Sequence, residues 1–363
     1  MALLPPLLNG NSRKKRAQIM SIDLGGRTTK AVLLERRGDT LTLSKFAVLD
    51  APIYDKKISP DQLADHLHAV AQALSSPTKY VSVAVGLADA VVRQVELPQI
   101  PLDEMRHILK VNHKNYLQQD LPNHVFDCYI IPPRAQAAAD KAPDATRAGG
   151  SSAKFKVLVT AAKQQLVNDF LQATSAAGLL ADGLIPSLVG PVNAFEQALP
   201  EVYTKETVAL VDIGFKHTSV CVLDRGELST NRVINIGGDQ ITSGLAEMKN
   251  ISYAEAEGIK VGMATEVEEE LRMQVAPLGR EIRASMDFFE HQQDRPVTQV
   301  YVSGGSARSE LIIQILHSEI MAECKTWNPT GFLRTALSGQ QAVDIEHIGP
   351  QLTVAIGTAL ATF

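Results

Sequence analysis

One pattern occurs twice in this sequence, and that repeat limits what the chain can fold into. Residues 18 to 34 read as strand, tight turn, strand, with the turn written Asp23-Leu24-Gly25-Gly26-Arg27-Thr28-Thr29-Lys30. Far downstream, residues 208 to 223 repeat it around Asp212-Ile213-Gly214-Phe215-Lys216-His217-Thr218-Ser219. A single aspartate-glycine turn is explained by a hairpin alone. Two copies, each opening one half of a 363-residue chain, predict a duplicated α/β architecture with two similar lobes.

The rest of the chain fills in around these units. Residues 91 to 97 read as a strand, and 101 to 118 carry a helical apolar rhythm through Met105, Ile108, Leu109, Val111 and Tyr116, entered after Pro98 and Pro101. Residues 126 to 131 and 156 to 161 read as two more strands. Between them, 135 to 152 is rich in Ala, Gly, Ser, Asp and Pro without apolar periodicity and is expected to be a flexible loop. In the second half, 239 to 248, 253 to 261 and 268 to 291 read as helices. A strand over 300 to 305 then ends in Gly304-Gly305 and leads into a helix over 311 to 320. The expected division is a disordered segment over 1–17, a first lobe over 18–205 and a second over 206–363.

Glycine turns suit phosphate binding, because without a Cβ the backbone amides can approach phosphate oxygens. Gly25, Gly26 and Gly214 meet that need, and Gly237-Gly238 and Gly304-Gly305-Ser306 add two further glycine pairs. The hydroxyls of Thr28, Thr29 and Thr218 are candidate donors and Lys30 a candidate phosphate partner. Asp23 and Asp212 are candidate magnesium ligands, acting through the waters that ion retains. No serine elbow or Walker lysine context is present. His107 and His113 are six apart on one predicted helix and do not share a face as metal ligands would.

Composition narrows the setting. A net charge of -5 gives no global pull toward nucleic acid, so no nucleic-acid partner is expected. Cys128, Cys221 and Cys324 are far apart and form no zinc or disulfide pattern, which fits a reducing compartment. The apolar start 2–8 precedes the basic run 13–16, the reverse of a secretory signal, and nothing later is long and apolar enough for a span. The expectation is a cytoplasmic protein without direct membrane insertion.

Taken together, the two turns, the Gly237 pair and the strand ending at Gly304 resemble the actin, sugar kinase and heat-shock chaperone superfamily. That resemblance implies a duplicated actin-like (ribonuclease H-like) two-lobed fold with a nucleotide cleft holding ATP and Mg2+. It assigns 23–30 and 212–219 as phosphate loops and 302–306 as an adenosine loop. It also places Glu257 and Lys260, one helical turn apart, at the ribose and adenine edge. From about residue 18 onward the chain is similar to the PilM family, the FtsA-like ATP-binding adaptors of type IV pilus assembly. The likeness rests on 97–101 with its following helix, FKVLVTAAKQQLVNDFLQATSAAG, GGDQITSGLAEMKNISYAEAEGIK and 278–305.

The family resemblance implies a small subdomain inserted over about 80–178 and a partner in the short cytoplasmic tail of a PilN-like inner-membrane protein. The tail would recruit the chain to the inner face of that membrane, beside other platform and motor components, in a pilus or related type II secretion-like machine. The partner groove is expected around 97 to 125, where Met105, Ile108, Leu109 and Leu121 supply apolar surface. Many PilM-like sequences carry an acid where this chain has Ile185, with Asp182 the nearest carboxylate, so hydrolysis is expected to be weak or absent and no catalytic residue is assigned. The rival readings are an actin-like ATPase or small-molecule kinase, for which no sugar-site aspartate is evident, and an FtsA-like tether. The tether would need a C-terminal amphipathic helix, and 352–360 is a small-residue, core-like stretch.

Overall fold

Both hairpins form, with the same register. In the computed structural model, which describes residues 16–53, 57–131 and 154–363, β1 (Gln18–Leu24) pairs with β2 (Thr28–Arg37) so that Asp23 faces Lys30 and Leu24 faces Thr29. Much later, β9 (Thr207–Ile213) pairs with β10 (Thr218–Asp224) so that Asp212 faces Ser219 and Ile213 faces Thr218. Each hairpin nucleates its own sheet. The first adds β3 (Thr40–Asp50) beside β2, and β4 (Tyr80–Val85) and β8 (Leu180–Pro186) parallel to β1. The second adds β11 (Glu227–Ile234) beside β10, and β12 (Gln299–Gly304) and β13 (Glu323–Thr326) parallel to β9. The strand order is thus duplicated, as the repeated turn predicts. Every residue of β9 and β10 is buried, which accounts for their near-continuous apolar sequence: that sheet is covered on both faces.

Helices supply the covers. On the first sheet lie α1 (Pro60–Leu74) and α3 (Gln164–Ala176), packed on each other over Ile22, Val83 and Leu184. α1 starts at a capping box formed by Ser59 and Gln62, with Pro60 at its first position, so sequence alone fixes its start. On the second sheet lie α6 (Gly238–Lys249), α8 (Glu268–Gln293) and α9 (Glu310–Ile320). The remaining faces of the two sheets share one core with α4 (Gly190–Ala198) and α11 (Thr353–Leu360). There Phe195 meets Tyr301 and Trp327 edge-on, at 4.8 and 5.2 Å.

Two expected boundaries move. Helix α11 is buried at all eight positions, and it packs against α4, β1, β2 and β4 of the first lobe. A Cβ on Gly357 would collide with Gly190, so small residues set this close approach. The short β14 (Arg334–Thr335) likewise joins β3 at the edge of the first sheet. The chain end therefore returns to the first lobe instead of staying with 206–363, because a helix apolar on every side must be enclosed on every side.

The inserted subdomain is a separate three-stranded sheet, β5 (Ala90–Pro98), β7 (Lys154–Lys163) and β6 (His124–Ile130), with α2 (Leu102–Leu117) lying on it. It spans 90 to 163; β4 and α3, inside the expected 80–178, belong to the first lobe. Met105, Leu109 and Leu121 are at most 4% exposed and join Leu97, Phe126 and Cys128 in the subdomain core. They fasten α2 to its own sheet and do not line a groove, contrary to the sequence expectation, while Ile108 is half-buried. The apolar start, most of the basic run and the loop 135–152 lie outside the described residues. Among the described residues no helix is long and apolar enough to cross a membrane.

Candidate functional site

The two turns face each other across a cavity of about 470 Å³ between the lobes. Arg27, Thr28 and Lys30 line it from the first turn, and Ile213, Gly214 and Phe215 from the second. Gly238 enters from the start of α6, and Gly305, Ser306 and Arg308 come from the loop after β12. Glu257 and Lys260 close the remaining side from α7 (Tyr253–Gly262).

Glycine is required at several of these points for one reason each. A Cβ on Gly25 would sit 2.5 Å from the Thr28 carbonyl, and one on Gly214 would sit 2.8 Å from the His217 carbonyl. These are equivalent positions in the two hairpins, so both turns fold back equally tightly. Gly237 packs against the Phe215 and Gly214 carbonyls, and the Gly238 amide donates to the Gly214 carbonyl at 2.9 Å, which docks the start of α6 on the second turn. Gly304 has a φ of +92°, and a Cβ there would collide with the Ile213 backbone. A Cβ on Gly26 would touch the Phe215 ring at 3.0 Å, so the turns meet across the cleft, whereas Gly305 faces open space. Two tight turns and a helix start thus make a backbone-lined wall of the kind that suits an anion, with the Gly214, Gly238 and Asp239 amides each donating to a backbone carbonyl within it.

Two carboxylates lie beneath that wall. Burial pushes the Asp23 carboxyl up, against the opposing charge and hydrogen bond of Lys30, whose Nζ is 3.7 Å away. Asp212 is pushed up to about 6, chiefly by burial and further by the charge of Asp23, while a 2.8 Å hydrogen bond from the Ser303 hydroxyl opposes the shift. Two carboxylates in a desolvated place thus share one nearby cation, Lys30. Among the described residues no group of three or more His, Cys, Asp or Glu is arranged to hold a metal directly.

Glu257 and Lys260 form an enclosed network instead of a surface ion pair. The Lys260 ammonium, 4% exposed, donates to Glu257 Oε2 and to Thr242 Oγ1, both at 2.7 Å. The Thr242 hydroxyl donates to the same carboxylate at 2.6 Å. Burial lowers the Lys260 pKa. Burial alone would raise Glu257, but the bonds and charges of Lys260 and Thr242, with Arg27, hold it below its usual value.

Two predicted donors point elsewhere. Thr29 is fully buried, with its Oγ1 2.7 Å from His66 Nε2 on α1, and Thr218 is fully buried and donates to the Ile236 carbonyl at 2.7 Å. Strand alternation already carried this signal: if Thr28 and Lys30 face the cleft, Thr29 must face away. Asp182 is no substitute for an acid at Ile185. Ile185 is level with Ala84 and so with Asp23, whereas Asp182 lies toward the other end of β8, bound at 3.0 Å by Arg16. Sequence reading missed Phe215, Arg308 and Gln351 as lining residues, and Arg27 although it stands inside the first turn.

A second cavity of about 750 Å³ lies between the subdomain and the second lobe. Its walls are β5, the outer strand of the three-stranded sheet, and β11, the outer strand of the five-stranded sheet, with Leu87, Leu188 and Phe288 adding apolar surface. The two edges come together where Gln94 Nε2 donates to Glu227 at 3.1 Å.

A family model described as type IV pilus assembly protein PilM matches residues 21–363. The cell division protein FtsA of Bacillus subtilis is 23% identical over 350 residues, covering 89% of this chain and 74% of FtsA. A solved PilM-PilN type IV pilus biogenesis complex superposes with a TM-score of 0.81 at 21% identity, over 96% of this chain and 99% of that one. The ethanolamine utilization protein EutJ from Carboxydothermus hydrogenoformans superposes with a TM-score of 0.55 at 15% identity, over 97% and 91%. The fold is the two-lobed actin-like one.

Proposed function

The chain belongs to the family of type IV pilus assembly protein PilM, and from that premise we propose that it is a cytoplasmic adaptor that closes on ATP and Mg2+ and thereby sets a groove for the tail of a PilN-like inner-membrane protein. The observation that carries this reading is that both cavities lie between the same two bodies. The nucleotide cavity separates the two turns; the second cavity separates β5, carried by the first lobe, from β11 of the second. Any change in lobe closure therefore alters both.

The residues fit the cofactors. Turn amides, Thr28 and Lys30 would hold phosphates, and the Glu257–Lys260–Thr242 network would meet the ribose and base, with Gly304, Gly305 and Ser306 beneath the adenosine. Asp23 and Asp212 fit a hydrated divalent cation, because each carboxylate is desolvated and the charge of one already disfavours ionisation of the other. Bound magnesium would supply charge neutralisation to them and to the phosphates. The chain's own contribution is to orient the nucleotide and bias the closed state, which works only as far as ATP prefers that state.

The PilN-like tail is the partner because the structural relative is a PilM-PilN complex. The free edges of β5 and β11 offer backbone hydrogen bonds to an extended peptide, and Phe288, 56% exposed, offers an apolar anchor. This site replaces the expected groove on α2. Recruitment through that tail would bring the chain to the inner face of the inner membrane, beside other platform and motor components. Hydrolysis is slow in this reading, since the strand position level with Asp23 is the apolar Ile185.

Calorimetry tests it. Magnesium-loaded protein should bind ATP saturably, Asp212→Ala should weaken that binding strongly, and Phe288→Ala should reduce capture of the tail peptide with the melting temperature kept. Unchanged ATP affinity in Asp212→Ala overturns the cleft assignment. Phosphate release near the enzyme median of about 10 per second would make the protein an ATPase instead.

A further inference from the structure

One side chain of the first lobe reaches over the nucleotide cavity and is held by the second. Arg27 stands at the tip of the first turn, with its side chain 44% exposed. Its Nη1 lies 3.4 Å from the Tyr253 hydroxyl and 3.6 Å from the Glu257 carboxylate, and its Cζ is 5.6 Å from the centre of the Tyr253 ring. All three contacts cross the cleft onto the first two turns of α7, and Arg27 itself lines the cavity.

The bridge is not a by-product of the duplicated turn. The equivalent position in the second turn is Lys216, and its ammonium goes to Asp239 of its own lobe at 2.6 Å. We propose that Arg27 is a clasp across the cavity mouth, which must release Tyr253 and Glu257 before a nucleoside polyphosphate can enter or leave. The inference rests on the nucleotide reading of the cleft.

Three features suit a clasp that opens and shuts. Its contacts are solvent-screened and near the outer limit of their distance ranges, so each is weak and quickly broken. Glu257 keeps Lys260 and Thr242 as partners when Arg27 leaves, so no buried charge is stranded. An arriving polyphosphate meets the freed guanidinium only in passing, since Arg27 returns to Tyr253 and Glu257 once the nucleotide is seated. A fixed phosphate ligand would behave differently, because it holds nucleotide without obstructing its approach.

Stopped-flow measurement on the full chain with magnesium, using ATP that carries a fluorophore on its terminal phosphate, separates these roles. Arg27→Ala should speed both association and dissociation, each by roughly three- to tenfold, the range set by losing one or two exposed contacts. The equilibrium constant should then change little. Tyr253→Phe, which keeps the ring and removes the hydroxyl, should shift both rates the same way by less. Faster dissociation without faster association would make Arg27 a simple phosphate ligand, and unchanged rates would make it a bystander; either overturns the clasp. Wild-type protein that binds no ATP by calorimetry would remove the nucleotide reading itself, a failure distinguishable from both.

Discussion

The first and second turns are one backbone device with two chemical fillings. Counting from each aspartate, Gly25 matches Gly214 and Thr29 matches Thr218, and these pairs behave alike: both glycines exclude a Cβ against a carbonyl, and both threonines turn away from the cleft. The other positions diverge. Lys30 stands across from Asp23 where Ser219 stands across from Asp212, and Gly26-Arg27 occupies the places of Phe215-Lys216. The first turn therefore sets a cation directly across the hairpin from its aspartate, whereas the second sets a serine there and sends its own cation, Lys216, to Asp239. A duplicated turn constrains the backbone at both sites and leaves the charge free to divide between them.

The largest effect should come from the strands beside the hairpins, which also differ. β12 ends at Gly304, pressed against Ile213 in a conformation that side chains rarely adopt, whereas β4 is followed by Gly86, whose nearest obstacle is the end of the Asp89 side chain at 3.0 Å. Gly304→Ala should cost roughly 3 kcal/mol or more, from steric collision and backbone strain, and lower the melting temperature by about 4 °C or more. Gly86→Ala should stay within about 1 kcal/mol, because a surface carboxylate can move aside. Equal shifts in thermal unfolding would show that the second turn is no more tightly buttressed than the first.

A smaller effect, readable as a pH profile, follows from the burial of Asp212. The folded-state value of Asp212 is raised to about 6 from 3.8. Below pH 3.8 the carboxyl is protonated in both folded and unfolded chains and costs nothing. As pH rises through about 6 the folded protein must ionise a buried group, so stability is lost upward through that window. Asp212→Asn should accordingly match wild type near pH 4 and gain stability above pH 6, by at most about 3 kcal/mol in the absence of metal and nucleotide. Denaturant titrations at pH 4.5 and 7.5 check this. A variant that loses stability at pH 7.5 would mean that the carboxylate is neutralised within the fold and that the two turns are electrostatically alike.

Much of this was legible in the sequence, and the limits have physical causes. The duplicated lobes followed from the repeated turn because a hairpin's register is fixed by its turn, a local property. The glycines were legible because the absence of a Cβ is a local statement as well. What sequence could not give was the partner of each apolar face. Met105, Leu109 and Leu121 have the same helical spacing whether they line a groove or a core, and only the sheet beneath α2 decides. The small-residue helix at 353–360 announced that it was buried without announcing in which lobe, since its neighbours lie more than 150 residues away at Gly190 and Asn193. Arg27 was overlooked because its partners, Tyr253 and Glu257, belong to the other lobe.

The smallest expected effect concerns the two matched threonines, where likeness between the turns should persist. Thr29 bonds His66 on α1, and Thr218 bonds the Ile236 carbonyl just before α6. Burial holds the His66 pKa below its usual value, so the ring is neutral near pH 7 and its Nε2 remains a hydrogen-bonding group that needs a partner. Replacing either hydroxyl by a methyl, as Thr29→Val or Thr218→Val, keeps the shape and strands one buried polar group, which costs about 1–2 kcal/mol. Neither hydroxyl faces the cavity, so ATP affinity should stay within about twofold, under about 0.5 kcal/mol. Calorimetric titration beside a melting curve separates the two quantities. If Thr29→Val loses ATP affinity tenfold while Thr218→Val does not, the first threonine reorients toward phosphate when nucleotide binds, and the two turns part company at this position too.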